Sequence, residues 1–525
     1  VTARLGRGVA GGAILIGAIT ILARVAGFAK QLAFAQTVGT NCLATAYFTA
    51  NQIPNILFEV VVGGALAGMV VPVLAGVPGR EAGRIGSALM TWVLVVLVPL
   101  GLLTALLAGP IAGLFFGDVV AGCDASAVTA TAARMLVVFA PQIPLYGVAV
   151  VLYGVLQSRR RFAGPALAPL VSSIVVICAY LLFVPLSQGE TDPATVARPA
   201  ELALSIGTSL GVLALVLTVL PPTARLGLRW RPTLRFPDGV ATRVAKLALA
   251  GVAGLLAQQA AMVVVLLLSN EIGTGAIAIY NYAWAIYLVP YAVLAVPIAT
   301  SAFPRLSAAA SGEFEQLAAR TTRAVVLVSG LAAGILAAVS VPGSIVFLGF
   351  KSDVPAPEFA RAIALFAPGL VGYGLIAHLS RVLYASGKGR AAAAGTVAGW
   401  IVVMIAQTVF VSLFPSDWKI AGMALGMTVG MTVGGATLLL SVLRARGPEA
   451  LTGLWRALLA AVAGGAAGYL AGTGVVGWLG ASGIWPNVLS VVLAALVALA
   501  AGGLVAALLD RQDARGVTGL VMRGR

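Results

Sequence analysis

Apolar residues run through this chain in long blocks, and the blocks are too long for strands or for the helices of a soluble core. An apolar helix of about 20 residues crosses the hydrocarbon core of a bilayer, which is roughly 30 Å thick. On that criterion the pattern predicts fourteen spans, at 9–36, 43–76, 85–111, 130–157, 162–187, 199–221, 243–269, 274–303, 321–342, 358–386, 390–414, 419–443, 455–475 and 485–509. The second span is overlong. At about 1.5 Å per residue it reaches about 51 Å, so it is expected to bend, break or tilt. Pro54 and the Gly63-Gly64 pair are the expected places, because proline removes a helical hydrogen bond and glycine weakens a helix.

Few ionisable residues interrupt the spans: Arg24 and Lys30 in the first, Glu59 in the second, and His378 with Arg381 in the tenth. A cation near the bilayer centre costs roughly 2.5–3.5 kcal/mol on insertion scales, so two of them in one span imply a wet cavity that uses the charge. Asn51, Asn55 and Glu59 stand at i, i+4 and i+8 and share one helical face. Counted from the outer ends of the first two spans, Arg24 lies about 18 Å deep and Lys30 about 9 Å. Asn51, Asn55 and Glu59 lie about 12, 18 and 24 Å deep. One reading is a cationic site for an anionic substrate, with Glu59 holding Arg24. The other is an internal ion pair that only fixes two helices. Lys30 has no acid at its level, which favours the site. Gln258, Gln259 and Asn281 offer further hydrogen bonds or simple helix-packing contacts. His378 and Arg381 lie one turn apart: the histidine is read either as a proton-coupling group or as a hydrogen-bonded packing residue, and Arg381 snorkels towards the inner surface.

Composition agrees with the pattern. Of 525 residues, 60% are hydrophobic and 10% charged, with a mean hydropathy of +1.04. The expected class is an all-α polytopic membrane protein. Its net charge of +16 would suit nucleic acid in a soluble chain. Here it reports positive-inside loops and anionic head groups, and no nucleic-acid partner is expected. With the N-terminus placed inside, 25 of the 33 Lys and Arg fall at inward ends and loops, five fall outward, and three stay in spans. That bias predicts N-in, C-in and an even number of spans. The first apolar run is too long for a cleaved signal and is expected to remain as a span. Cys42 and Cys123 both fall in outward loops. A disulfide is one reading and two unpaired small residues the other. The connector Pro221 to Gly239 carries Arg225, Arg229, Arg231 and Arg235 with Trp230 and Phe236. It lies either on the inner membrane surface or free in solvent.

The chain repeats itself. Phe139-Ala140-Pro141 with Tyr146-Gly147 recurs as Phe366-Ala367-Pro368 with Tyr373-Gly374, at an offset of 227. Val71-Pro72-Val73-Leu74 recurs as Phe303-Pro304-Arg305-Leu306, at an offset of 232. Six spans separate the copies, so the halves point the same way, as parallel repeats. The expected plan is an N-lobe at 1–221, a basic cytoplasmic linker at 222–242, a C-lobe at 243–444, and a final helix pair with a tail at 445–525. Small residues in that pair, Ala463-Gly464-Gly465-Ala466-Ala467-Gly468, suit close helix packing or a lateral groove for a lipid tail. Catalysis finds no support. There is no phosphate-binding loop, no metal-ligand set and no H-E-x-x-H, and Asp118 and Asp124 are isolated acids. A transporter without cofactor or metal is expected rather than an enzyme.

Several motifs of this chain resemble those of the MurJ/MviN family, in the MOP exporter superfamily. Ala23-Arg24-Val25-Ala26-Gly27-Phe28-Ala29-Lys30 resembles its S-R-x-x-G-F-x-R motif. Ala50-Asn51-Gln52-Ile53-Pro54-Asn55 with Pro72-Val73-Leu74 resembles its second helix. Tyr287-Leu288-Val289-Pro290-Tyr291 with Phe303-Pro304-Arg305-Leu306 resembles its eighth. The resemblance implies a flippase of the cytoplasmic membrane. Its substrate would be lipid II or a related polyprenyl-pyrophosphate lipid, moved from the inner to the outer leaflet by alternating access. It implies that Arg24 and Lys30 engage the pyrophosphate, and that other cell-wall synthesis proteins are partners. The chain departs from the family pattern at Thr45, where many members have Asp, at Phe58 and Glu59, where they have a basic pair, and at Ala285, where they have Arg. The acids of the sodium site described for some members are absent from spans 7 and 11. The resemblance is therefore to a branch in which Arg24 and Lys30 carry more of the recognition. Flipping of another lipid-linked oligosaccharide is one alternative. A non-transporting scaffold of cell-wall synthesis is the other.

Overall fold

The computed structural model describes residues 2–60, 70, 73–74, 77–116, 122–228, 230–236, 240–349, 352–511 and 513, with the side chains of all of these except 2–17 and 240–251. Every regular element among them is helical. In chain order they are α1 Thr2–Thr37, α2 Cys42–Phe58, α3 Gly79–Leu106, α4 Ala108–Phe116, α5 Ala125–Phe139, α6 Gln142–Ser158, α7 Ala163–Ser187, α8 Arg198–Ala224, α9 Val240–Ile272 and α10 Ala276–Pro290. After a wide π turn at Tyr291–Ala295 come α11 Val296–Ala308, α12 Ser311–Ala338, α13 Ser340–Leu348, α14 Ala356–Phe366, α15 Gly369–Ala385, α16 Gly389–Leu413, α17 Lys419–Arg446, α18 Leu454–Leu479 and α19 Ile484–Leu509.

Among the described residues, twelve helices are long and apolar enough to cross a membrane. There are thirteen if α14 and α15, bent by 41° at their junction, form one span. The expected span 43–76 is described as α2 up to Phe58, with π geometry at Glu59 and Val60. Pro54 sits inside α2 without ending it. The Gly63-Gly64 pair and the Val71-Pro72 half of the repeated motif lie outside the described residues. Asn41 starts α2 by accepting a hydrogen bond from the Ala44 N–H at 3.0 Å. Asp124 starts α5 in the same way, through the N–H groups of Ser126 and Ala127. Those two N–H groups and the Ser126 hydroxyl hold its carboxyl below the usual range, the hydroxyl contributing most. Asp124, one of the two isolated acids, is a helix cap.

The chain forms two compact units. The first is residues 1–259 with 273–278; the second is 260–272 with 279–525. In the first, α1 packs on α7, α2 on α5 and α6, α3 on α6, and α7 on α8. In the second, α16 packs on α17, α15 on α11, α12 and α17, α12 on α18, and α18 on α19.

The repeat seen in the sequence has a structural meaning. Each F-A-P triplet breaks its span in two: α5 stops at Phe139 and α6 starts at Gln142, while α14 stops at Phe366 and α15 starts at Gly369. The tyrosine-glycine pair after each break also does the same work twice. A Cβ on Gly147 would lie 2.6 Å from Val93 Cγ1 and 2.4 Å from Leu97 Cδ1. A Cβ on Gly374 would lie 3.1 Å from Val325 Cγ1 and 2.8 Å from Ser329 Oγ. Val93 and Leu97 stand 232 residues before Val325 and Ser329. The two glycines let matching helices approach at matching places.

Two open questions about the loops and the final pair are answered. Cys42 and Cys123 form a disulfide, with a Cα–Cα distance of 5.8 Å. The reading of two unpaired cysteines is thereby corrected: the α1–α2 turn and the start of α5 bring both to one place. The Thr274 hydroxyl lies 3.1 Å from Cys123 Sγ, and the Gly275 N–H donates to Thr45 Oγ1 at 3.0 Å. The small-residue run of α18 is spent on close packing. A Cβ on Gly464 would meet the Gly502 carbonyl at 2.8 Å, and one on Gly465 would meet the Gly330 carbonyl at 2.8 Å. Lipid tails are as apolar as leucine, so helices in a bilayer associate by this kind of van der Waals fit.

The linker is neither free nor merely laid on a membrane surface. Residues 230–236 run along α3. The Arg231 N–H donates to Ser87 Oγ at 3.0 Å, the Thr233 N–H to Thr91 Oγ1 at 3.2 Å, and Trp92 Nε1 to the Leu234 carbonyl at 3.0 Å. A Cβ on Gly86 would meet the Trp230 ring at 3.5 Å. Leu226, Leu228, Trp230 and Phe236 pack on the core of the first unit, while Arg225, Arg231 and Arg235 stay exposed. Arg229 lies outside the described residues.

Candidate functional site

The expected site belongs to α1 and α2. These helices meet at one end through an aromatic cluster: Phe34 lies 4.8 Å from Tyr47 and 4.7 Å from Phe48 between ring centroids. Tyr47 is fully buried there. Its hydroxyl is 2.7 Å from both Tyr180 and Thr208 hydroxyls, which ties α2 to α7 and α8. Tyr180 meets Phe34 and Tyr47 edge to face, as Phe139 does Tyr47, while Phe34 is tilted at 33° to Tyr47. This is core packing with its polar atoms satisfied.

Away from that junction the two helices keep different company, since α1 lies on α7 and α2 on α5 and α6. The 18–25 stretch of α1 is open, with Ile21 60%, Leu22 55% and Val25 59% exposed. Arg24 is exposed in this stretch, and Lys30 is part-buried one to two turns on. Neither has a carboxylate within 4.0 Å among the described residues. All six ion pairs found there lie elsewhere, such as Arg134 with Glu201 and Arg323 with Asp513. Glu59 is likewise without an ion pair, so the structure does not bring it onto Arg24. The physical reason is the divergence of α1 from α2.

Asn51 and Asn55 are part-buried on α2, and Glu59 is part-buried in the π turn that follows it. Asn55 Nδ2 donates to the Asn51 carbonyl at 2.9 Å. Asn51 Oδ1 is buried with no hydrogen-bond partner among the described residues. A buried acceptor left unsatisfied costs about 1–3 kcal/mol, which marks the stripe as a place that gains from a donor. The Phe58 ring stacks near Tyr146 at 4.6 Å, one residue before Glu59. Gln259, proposed as an accessory group, is buried, and Gln258 is part-buried.

His378 and Arg381 belong to the second unit, on α15. His378 is fully buried. Its Nε2 lies 3.0 Å from Thr321 Oγ1, and that hydroxyl already donates to the Leu317 carbonyl at 2.8 Å. Nε2 therefore carries the hydrogen and Thr321 accepts it. Arg381 turns back to donate to the carbonyl of Ala377, one turn earlier. Arg381 and His378 Nε2 have local partners, while His378 Nδ1 is buried with none among the described residues.

One group was missed by the span-by-span reading. In the second unit Trp284, Tyr287, Tyr291 and Tyr373 form an aromatic cluster, in which three pairs are near-parallel and Trp284–Tyr373 is tilted at 51°. Centroids are 5.4 Å apart for Trp284–Tyr287, 6.0 Å for Tyr287–Tyr373 and 4.2 Å for Tyr291–Tyr373, with interplanar angles of 26°, 28° and 28°. The signal was present in the repeat. An offset of 232 carries Asn51, Asn55 and Glu59 onto Ala283, Tyr287 and Tyr291.

Repeated multi-helix units, bent spans and unpaired cations on an apolar helix define a class: a multi-pass membrane protein built like a transporter. Solved structures share this fold. One is the lipid II flippase MurJ in an inward closed conformation, with a TM-score of 0.74 and 19% identity over 95% of this chain and 99% of that one. Another is an inward-facing multidrug resistance MATE family transporter of the MOP superfamily, with a TM-score of 0.64 and 13% identity over 82% of this chain and 98% of that one. In sequence, the lipid II flippase MurJ of Burkholderia cenocepacia is 26% identical over 419 residues, 76% of this chain and 78% of that protein. The family model for lipid II flippase MurJ matches residues 34–499, and the chain belongs to that family.

Proposed function

We propose that this protein flips lipid II from the inner to the outer leaflet of the cytoplasmic membrane. The observation that carries the reading is the pair Arg24 and Lys30, held on an apolar helix with no carboxylate partner, in a chain of this family. A pyrophosphate supplies the negative charge that these cations lack. Asn51 and Asn55 add hydrogen bonds from α2, and Glu59 bounds the site on its inner side. Transport, not catalysis, is the activity, and the repeated lobes 1–221 and 243–444 alternate access to the site. Both termini lie on the cytoplasmic side, as the bias of Lys and Arg argues. The outward faces of α18 and α19, with Val462, Leu470, Leu496 and Leu504 exposed, keep the lipid tail in the bilayer.

The test is depletion of the protein in its host with a probe for lipid II on the outer face. Complementation is by wild type, Arg24→Ala or Lys30→Ala, each checked for expression. Inward accumulation of lipid II, relieved by wild type alone, is the expected result. Unchanged outward lipid II on depletion overturns the flippase reading. Full rescue by both variants keeps the activity and removes the cationic site.

A further inference from the structure

The polar stripe of the first unit holds an excess of hydrogen-bond acceptors. Asn51 Oδ1 is buried without a partner among the described residues. Asn55 spends an N–H on the Asn51 carbonyl at 2.9 Å and keeps its amide oxygen. Glu59, an acceptor only when ionised, has no ion pair among the described residues. Residues 61–69, which follow it, contain no ionisable side chain. From this excess we infer that Asn51, Asn55 and Glu59 form a specificity subsite for the glycan of the lipid whose pyrophosphate is taken by Arg24 and Lys30. All five residues belong to the first unit. The inference rests on the proposed flippase reading and assigns the two helices to different parts of one ligand.

The chemistry of the groups makes that division. Phosphate oxygens are themselves acceptors, and an ionised carboxylate repels them, so the cations of α1 suit the pyrophosphate and the stripe does not. The stripe suits a neutral group rich in donors. Sugars supply them, as hydroxyls and amide N–H groups. A donor paired with an ionised carboxylate makes a stronger bond than one paired with a neutral oxygen, and a buried orphan acceptor gains when a donor arrives. From Asn51 to Glu59 the stripe runs about 12 Å along the helix, the length of two linked pyranose rings. The Phe58 and Tyr146 rings, 4.6 Å apart, border Glu59 and offer an apolar edge to the C–H groups of a sugar. Asn51, Asn55, Phe58, Glu59 and Tyr146 are all part-exposed. Tyr47, earlier on the same helix, is buried, and its hydroxyl already has two partners.

The test measures binding of three lipids to the full-length protein in nanodiscs. They are lipid II, the same lipid without its peptide, and undecaprenyl pyrophosphate, which has no sugar. Wild type is expected to bind both glycolipids about tenfold more tightly than undecaprenyl pyrophosphate. Glu59→Gln, which keeps the shape and removes the charge, is expected to weaken both glycolipids about tenfold and to leave undecaprenyl pyrophosphate within twofold or bound more tightly. Asn55→Ala, a second and independent variant, is expected to act in the same direction. Arg24→Ala weakens all three lipids alike. Equal affinity of wild type for the three lipids overturns the glycan subsite and leaves the flippase reading intact. So does a Glu59→Gln variant that changes all three lipids equally, or none. Weakening confined to the lipid with its peptide gives the carboxylate to a peptide ammonium and overturns the glycan assignment. Failure of wild type to bind any of the three overturns the flippase reading as well.

Discussion

The two units carry the same three-span motif and use it differently. In the first, the second span presents Asn51, Asn55 and Glu59; in the second, the matching positions present Ala283, Tyr287 and Tyr291. Around both stripes the scaffold is alike. An F-A-P break, a tyrosine stacked on the neighbouring span (Tyr146 on Phe58, Tyr373 on Tyr291) and a glycine pressed against the next helix recur in each. The packing positions match between the two units, and the stripe positions differ. Packing residues answer to a partner helix that was duplicated with them.

The largest test of this comparison concerns the N-terminal end of α2. The Cys42–Cys123 disulfide closes a separation of 81 residues in the first unit, and the repeat position of Cys42 in the second is Thr274. Cys42→Ser or Cys123→Ser is expected to cost up to about 4 kcal/mol by the chain-entropy account. The readout is thermal unfolding in detergent with and without reductant. A reductant effect that persists in Cys42→Ser would break the assignment. Next come the cations. Arg24→Ala with Lys30→Ala is expected to lower lipid II transport about 100-fold, about 2.7 kcal/mol of barrier, at normal membrane insertion. Transport within threefold of wild type would leave the polar stripe without its charges and end the contrast.

The glycines sharpen the comparison from the packing side. Gly147→Ala meets two branched side chains below 3.0 Å, whereas Gly374→Ala meets one hydroxyl at 2.8 Å and one methyl at 3.1 Å. Overpacking of this kind costs about 1–3 kcal/mol, with Gly147→Ala at the upper end and Gly374→Ala at the lower. Unfolding temperatures in the same detergent should fall in that order. The smallest effect is expected at His378. With Nε2–H donated to Thr321, His378→Gln keeps a donor. Transport should stay within about threefold, with an unchanged profile from about pH 5.5 to 8. A profile that flattens in His378→Gln would restore proton coupling to this residue.

Much of the chain was legible before any packing was known. Hydropathy is a local property and adds along the segment, so span positions follow from composition window by window. Pro141 and Pro368 announce their breaks for the same reason, since a missing N–H acts on the residue's own turn. Arg24 and Lys30 stand out because a charge in an apolar run is costly wherever the helix points. The face shared by Asn51, Asn55 and Glu59 follows from helical periodicity alone.

Which faces meet is another matter, and only the tertiary structure decided it. Arg24 and Glu59 have compatible depths, yet α1 lies against α7, and they do not pair. Cys42 and Cys123 could be sorted to one side but not joined. The linker's arginines suggested a surface or a solvated segment, while its backbone N–H groups found Ser87 and Thr91 on α3. Trp284, Tyr287, Tyr291 and Tyr373 are scattered apolar letters until α10, the turn after it and α15 bring them into one cluster. In a bilayer no hydrophobic gradient says which side of an apolar helix turns inward. Close fit decides that, and fit is a property of pairs of helices that no single stretch of sequence contains.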